Sequence, residues 1–334
     1  MIRHIWHLTF LAFFGLTIIC VVAAILLPHL TAVDSAAEPK QITIAPGASA
    51  ESIARQLARE HIIRSPLLFQ LTAYGYGACR YLQAGTYELS GEMSLREIIH
   101  QLQSGKVVLR NLVVPEGLTV AQIGRLFEDE ELGTAESFNG AARDPRWQEL
   151  YSVDENTLEG YLFPNTYQFA HGTPATKVIE MMLDEFDRQW TCELDEEAQS
   201  LGFSTHEIIT LASVIEKEAK IDRERPLISA VFHNRLQRGW KLDADPTVLY
   251  ALGNPQRLLT TRDLEVDSPY NTYFHRGLPP GPISNPGVPS ILAALRPVQS
   301  SYLYFVAIGA GKHHFSTTLA EHKKVIRRMK RNVN

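Results

Sequence analysis

The chain has 334 residues with 32 Lys and Arg against 37 Asp and Glu, a formal net charge of -5. That balance supplies no basic surface for a nucleic-acid backbone, and three cysteines at scattered positions form no zinc-type spacing. The length exceeds one ordinary domain and predicts two beyond the N-terminal segment.

The first element is a run from Leu8 to Leu27 without a single charge. A bilayer core takes about 20 such residues as a helix. The run is longer than a signal-peptide core of about 7–15 residues, and no small-x-small site follows it directly. It reads as a membrane anchor, with a cleaved signal peptide as the alternative; both export the remainder. Arg3 precedes the run, whereas residues 28–39 carry Asp34 and Glu38 and no Lys or Arg. The positive-inside bias therefore places residues 1–7 in the cytoplasm, residues 8–27 across the inner (plasma) membrane and the rest outside it, in the periplasm if the cell has two membranes. Cys20 lies within the run. Cys79 and Cys192 either pair in the oxidising compartment or remain free thiols.

Residues 28–40 are small, polar and proline-bounded, and read as a linker. Residues 41–106 form a first small domain. Gln41–Ala45 alternates as a strand, Ser49 or Ser52 caps a helix from Ile53, and Ser65-Pro66 starts a second helix. Ala84–Leu89 reads as a strand, and Ser94 caps a further helix. This strand–helix–helix–strand order resembles a LysM-type glycan-binding module; a plain spacer is the alternative.

Residues 107–334 form the larger domain. A strand leads into Pro115-Glu116-Gly117, and Thr119 and Thr134 cap the helices that follow. Residues 158–167 are turn-rich and aromatic, and residues 174–192 are helical by periodicity. An acid-bearing helix covers 209–220 and another covers 225–239. Residues 242–289 are rich in loops. A helix over 290–295, a strand from Leu303 and a basic terminal helix close the chain. Uneven helical blocks between strands predict an α+β fold: an N-terminal transmembrane helix, a small LysM-like βααβ module and a larger mixed α+β catalytic domain.

The acid-bearing helix holds Glu216 and Glu218, which a period of 3.6 sends to nearly opposite sides. Glu216 has Lys220 four residues on, in the favourable order for a surface pair. Glu218 falls between Leu211 and Val214, with Asp222 as a like charge four residues on. Apolar flanks and a nearby carboxylate both raise an acid's pKa, which a general acid near neutral pH requires. Asn234, Asp243, Asp245, Tyr270, Asn271 and Tyr273 follow downstream. Aromatic faces with amides and carboxylates suit sugar rings, although each residue alone also fits a turn, a core or a loop.

Leu211–Glu218, Val231–Leu236, Asp245–Tyr250, Tyr270–Tyr273 and Gly277–Ile283 resemble the endolytic murein transglycosylases of the YceG-like family. Val114–Gly117, Glu159-Gly160, Phe163-Pro164 and Tyr304–Val306 do so as well. The resemblance runs from the N-terminal run almost to the end. It implies that Glu218, the second Glu of Glu-Lys-Glu, is the catalytic acid, and that His313 matches the family's His-x-Phe. It further implies a lytic cut of peptidoglycan between N-acetylmuramic acid and N-acetylglucosamine, leaving a 1,6-anhydro end and terminating nascent strands. Glu159, Asn234, Asp245, Tyr270, Asn271 and Tyr273 are then expected to hold the substrate, without metal or cofactor. The expected partners are glycan strands and wall synthases (penicillin-binding proteins). A true hydrolase using Asp245 or Glu159 as a second carboxylate, and a non-catalytic scaffold that recruits wall synthases, are the competing readings.

Overall fold

The computed structural model describes residues 38–151, 157–253 and 259–333. The apolar run 8–27 and most of the linker lie outside the described residues. Among the described residues no helix is long and apolar enough to cross a membrane. The chain divides into two compact units. The first takes the described residues up to Arg110 with Phe169–Gly172, and the second takes Asn111–Gln168 and Thr173 onward.

In the first unit, β1 (Lys40–Ile44) pairs antiparallel with β2 (Gly85–Leu89), Ile42 opposite Tyr87. Between them run α1 (Ala50–Arg59) and α2 (Pro66–Gly75), and α3 (Leu95–Ser104) follows. Local chemistry sets these boundaries. Ser49 rather than Ser52 caps α1, Ser65 caps α2 ahead of Pro66, and Ser94 with Glu97 forms a reciprocal capping box on α3. Ile44, Leu57, Phe69, Tyr87 and Ile98 meet in one apolar core. The predicted strand–helix–helix–strand order is present, closed by α3.

β3 (Leu109–Val113) pairs with β4 (Thr166–Ala170), a strand in a stretch whose preceding residues read from sequence as turns. The second unit continues with α4 (Val120–Asp129), α5 (Ala135–Ala141), α6 (Pro145–Tyr151), α7 (Ala175–Gln189), α8 (Cys192–Ser200) and α9 (Thr205–Glu218). After α9 come α10 (Arg225–Gln237), α11 (Asp245–Ala251) and α12 (Val288–Leu295), then the hairpin β5 (Tyr304–Gly309) and β6 (Lys312–Ser316), and α13 (Leu319–Val333). The architecture is mixed α+β. Helix α11 and strand β6 were not expected from sequence; both are short and stand beside polar turns that mask their periodicity.

Helix α9 lies at the centre of the second unit. Its residues Ile208 to Ile215 are buried without interruption, so it has no water-facing stripe along that length. Helices α10, α11 and α12 pack against it. The loop before α12 is tied along it: Ile283 N–H donates to Ser213 Oγ at 3.0 Å, and Ser284 Oγ donates to the Ser213 carbonyl. A Ser204–Glu207 capping box starts the helix, and Glu218 is its last residue. Cys79 and Cys192 are exposed free thiols.

Candidate active site

The carboxyl of Glu218 stands where α9 ends. Protein surrounds it, yet its side chain keeps a solvent-accessible part, and burial pushes its pKa up to about 8. The charge of Asp245 adds to the rise, while Lys220 and Arg235 pull against it. The like charge that acts is therefore Asp245, from α11, and not Asp222 as the helical spacing predicts. Asp222 instead pairs with Arg225. Among the described residues nothing hydrogen-bonds the Glu218 carboxyl. A carboxyl held out of bulk water without a partner keeps its proton near neutral pH and can deliver it to an incoming group.

Glu216 differs from its predicted setting. It makes no surface pair with Lys220. Its side chain is 7% exposed and bonds Arg225 at 3.0 Å, and it accepts from Gly287 N–H at 3.2 Å. The wheel assigned it to a surface that α9 does not have. Lys217 donates from Nζ to the Gly117 carbonyl at 2.9 Å. The two residues before Glu218 are thus tied to different loops, and the helix end cannot rotate freely.

The predicted downstream residues form a connected frame. Tyr273 donates its hydroxyl to Asp245 Oδ1 at 2.5 Å. Asn271 is fully buried; its amide nitrogen donates to the Leu264 and Val266 carbonyls, and its oxygen accepts from Tyr273 N–H. It shapes the loop that presents Tyr273. Lys241 donates to the Tyr273 carbonyl, and Thr272 Oγ1 accepts from Ala244 N–H at 3.0 Å. The α11 start and the 271–273 loop are therefore one cross-linked piece, and it carries Asp245. Asp243, in the left-handed region at φ 48°, turns the chain into α11.

Three predicted residues lie elsewhere in this frame. Asn234 donates to the Ser300 and Tyr302 carbonyls and so fastens α10 to the segment before β5. Tyr270 is nearly buried and packs its ring on Tyr250 at 4.9 Å. Glu159 is 5% exposed and accepts from Val120 N–H at 3.0 Å, Asn285 Nδ2 at 3.2 Å and Tyr250 Oη at 3.4 Å. Burial pushes its pKa up to about 8 against these bonds. Next to it, Gly160 at φ 91° passes so close to Pro282 and Ile209 that a Cβ would collide with both.

Residues 42–328 match the YceG-like family. The chain belongs to that family. A Bacillus subtilis (strain 168) relative named endolytic murein transglycosylase is 36% identical over 299 residues, which is 85% of this chain and 82% of that protein. A Streptococcus pneumoniae (strain R6) protein of the same name is 31% identical over 315 residues, 85% of this chain but 57% of that longer relative. The crystal structure of a putative YceG-like protein from Listeria monocytogenes superposes with a TM-score of 0.60 at 37% identity, covering 87% of this chain and all of that one.

Within this family member, sequence reasoning passed over Arg235 as a site residue. It is buried, donates to the Leu303 and Leu242 carbonyls and to Asp243 Oδ2 at 3.1 Å, and lies over the Tyr304 ring. It is a cation whose charge reaches Glu218. The signal was an Arg one turn beyond the apolar residues Ala230, Val231 and Phe232 of the same helix. His313 bonds Glu224 Oε2 through Nδ1 at 2.8 Å and also donates its backbone N–H to that carboxylate, holding β6 to the start of α10. Among the described residues no group of His, Cys, Asp and Glu is arranged to hold a metal ion.

Proposed function

We propose that this chain cuts the bond between N-acetylmuramic acid and N-acetylglucosamine in peptidoglycan and leaves a 1,6-anhydro end. Family membership and relatives named endolytic murein transglycosylase support the coarse part of this reading: the chain is a murein transglycosylase, a lytic enzyme whose substrate is peptidoglycan. The observation that carries the finer part is Glu218, desolvated, raised to about 8 and unpartnered among the described residues.

Protonated Glu218 donates to the glycosidic oxygen as that oxygen leaves C1. The same group, now a carboxylate, accepts the proton of the muramic C6 hydroxyl, whose oxygen closes on C1. The substrate carries its own nucleophile, so one carboxyl serves both steps and proximity is built in. The positive charge that develops at C1 and the ring oxygen forms beside Asp245, which Tyr273 positions. Asp245 and Tyr273 contact the sugar in this reading. Glu159, Asn234, Tyr270 and Asn271 support the frame that holds them.

The apolar run 8–27 anchors the enzyme in the inner (plasma) membrane with residues 1–7 in the cytoplasm, the catalytic unit outside, and nascent strands and their synthases within reach. There it terminates strand elongation, and the first unit contacts glycan in the LysM manner. Mass spectrometry of products from purified glycan tests the chemistry. Anhydro ends, one water lighter than reducing ends, are expected from the wild type and none from Glu218→Gln. Reducing ends alone would establish the hydrolase instead, and an inactive wild type would leave the scaffold.

A further inference from the structure

The first unit carries an exposed surface that has no part in the site around Glu218. Leu67, Leu71, Tyr74, Tyr76 and Tyr81 are all exposed, within a stretch of fifteen residues, and no other stretch of that length among the described residues exposes more than two large apolar side chains. Three of them share one edge of α2. Leu67, Leu71 and Tyr74 stand at i, i+4 and i+7, at 64%, 57% and 80% exposure. The opposite side of the helix is committed to the core through Phe69 and Ala73, both fully buried. Helix α2 is thus apolar on both sides but covered on one.

Charge is absent from the same stretch. Residues 66–79 contain no Asp, Glu, Lys or Arg, and the stretch is bracketed by exposed Arg64 and Arg80. Arg59, at the end of α1, lines a shallow hollow together with Pro66, the first residue of α2, so another cation stands beside the stripe. A water-facing helix edge ordinarily carries charged residues. A neutral edge of Leu and Tyr with arginines at its margins is the composition of an interfacial surface. There the rings lie at headgroup depth and the guanidinium groups reach the phosphates.

The tether decides among the possible occupants. Strand β1 begins at Lys40, and only residues 28–39 separate it from the apolar run 8–27. Fully extended, that link reaches about 40 Å, so the unit remains within one small-domain diameter or two of the bilayer. A second copy would bring the same arginine rim against itself. We infer that the outer edge of α2 with Tyr76 and Tyr81 is a membrane-docking face that lies in the headgroup layer of an anionic bilayer. This rests on the anchor assigned to residues 8–27 and adds a second contact with the lipid.

The two free thiols supply the test. The full chain is reconstituted into vesicles of phosphatidylethanolamine and phosphatidylglycerol and floated on a density gradient, which reads attachment through either contact. An environment-sensitive dye is then placed on Cys79, beside the stripe, or on Cys192, in the second unit, the other cysteines being replaced by Ser. Quenching by headgroup-nitroxide lipid is measured for each. Quenching several-fold stronger at Cys79 is expected. It should fall to the Cys192 level in Leu67→Ser/Leu71→Ser/Tyr74→Ser and to an intermediate level in Tyr74→Ser, with far-UV circular dichroism unchanged. A chain that floats but is quenched equally at both positions overturns the docking face and leaves the anchor standing. Shielding of Cys79 from aqueous iodide without lipid quenching also overturns it, in favour of a protein cover. A chain that fails to float removes the anchor and the docking face together.

Discussion

Glu159 and Glu218 are both carboxyls that burial pushes up to about 8, yet their surroundings are opposites. Glu159 is closed in and accepts from a helix N-terminus, an amide and a phenol. It joins three segments distant in sequence, and its oxygens are taken up by those bonds. Glu218 stands at a helix end, lacks a hydrogen-bond partner among the described residues and keeps access to solvent. A raised pKa alone therefore does not mark a catalytic acid. The mark is a raised pKa on a group with nothing to hold and somewhere to send its proton.

The largest effect that tests this contrast is Glu218→Gln, which should lower the rate of glycan cleavage by at least about 10²–10⁴-fold. Its thermal midpoint should be no lower than that of the wild type. Full cleavage by that variant would remove Glu218 from the chemistry. Second is Arg225→Met, which strands the buried Glu216 charge and should cost about 3–5 kcal/mol by denaturant unfolding. A loss within the error of the measurement would mean that the pair is solvated.

Third is the pH dependence of stability. Both raised carboxyls hold their protons in the folded chain above the ordinary value of 4.5, where the unfolded chain has lost them. Stability should therefore fall as pH rises from about 4.5 to about 8. Glu159→Gln should flatten that slope and cost about 1 kcal/mol from one altered bond, while leaving the alkaline limb of activity in place. A displaced limb in Glu159→Gln would merge the roles that the structure separates. The smallest effect is expected for the alkaline limb in Asp245→Asn. Without the neighbouring charge, Glu218 should lose its proton at lower pH, and the limb should move down. An unmoved limb would show that Asp245 does not act on Glu218.

Much of the first unit was legible because its boundaries are set by neighbours in the chain. Ser65-Pro66 and Ser94 with Glu97 fix helix starts within four residues, and strand alternation at Ile42 and Ile44 marks one buried face. The same held for Thr119, Thr134 and the apolar flanks of Glu218. The wheel erred on Glu216 because it supposes that one side of a helix faces water, and α9 is buried on all sides through Ile215. Asn234, Asn271 and Glu159 read from sequence as sugar-binding groups, and the structure shows each bonding backbone groups of the protein; an amide or carboxylate that bonds a backbone is indistinguishable in sequence from one that bonds a ligand.

The residues by themselves determined the apolar run, the cap positions, the family motifs and the pairing of Glu216 and Glu218 on opposite sides of one helix, since these follow from chain-local geometry and transfer energies. Only the tertiary structure decided that Arg225 takes Glu216, that Asp245 rather than Asp222 lies beside Glu218, that Asn285 and Val120 enclose Glu159, and that the outer edge of α2 is left uncovered. Burial and charge proximity are properties of segments brought together from far apart in the chain, and no periodicity within one segment records them.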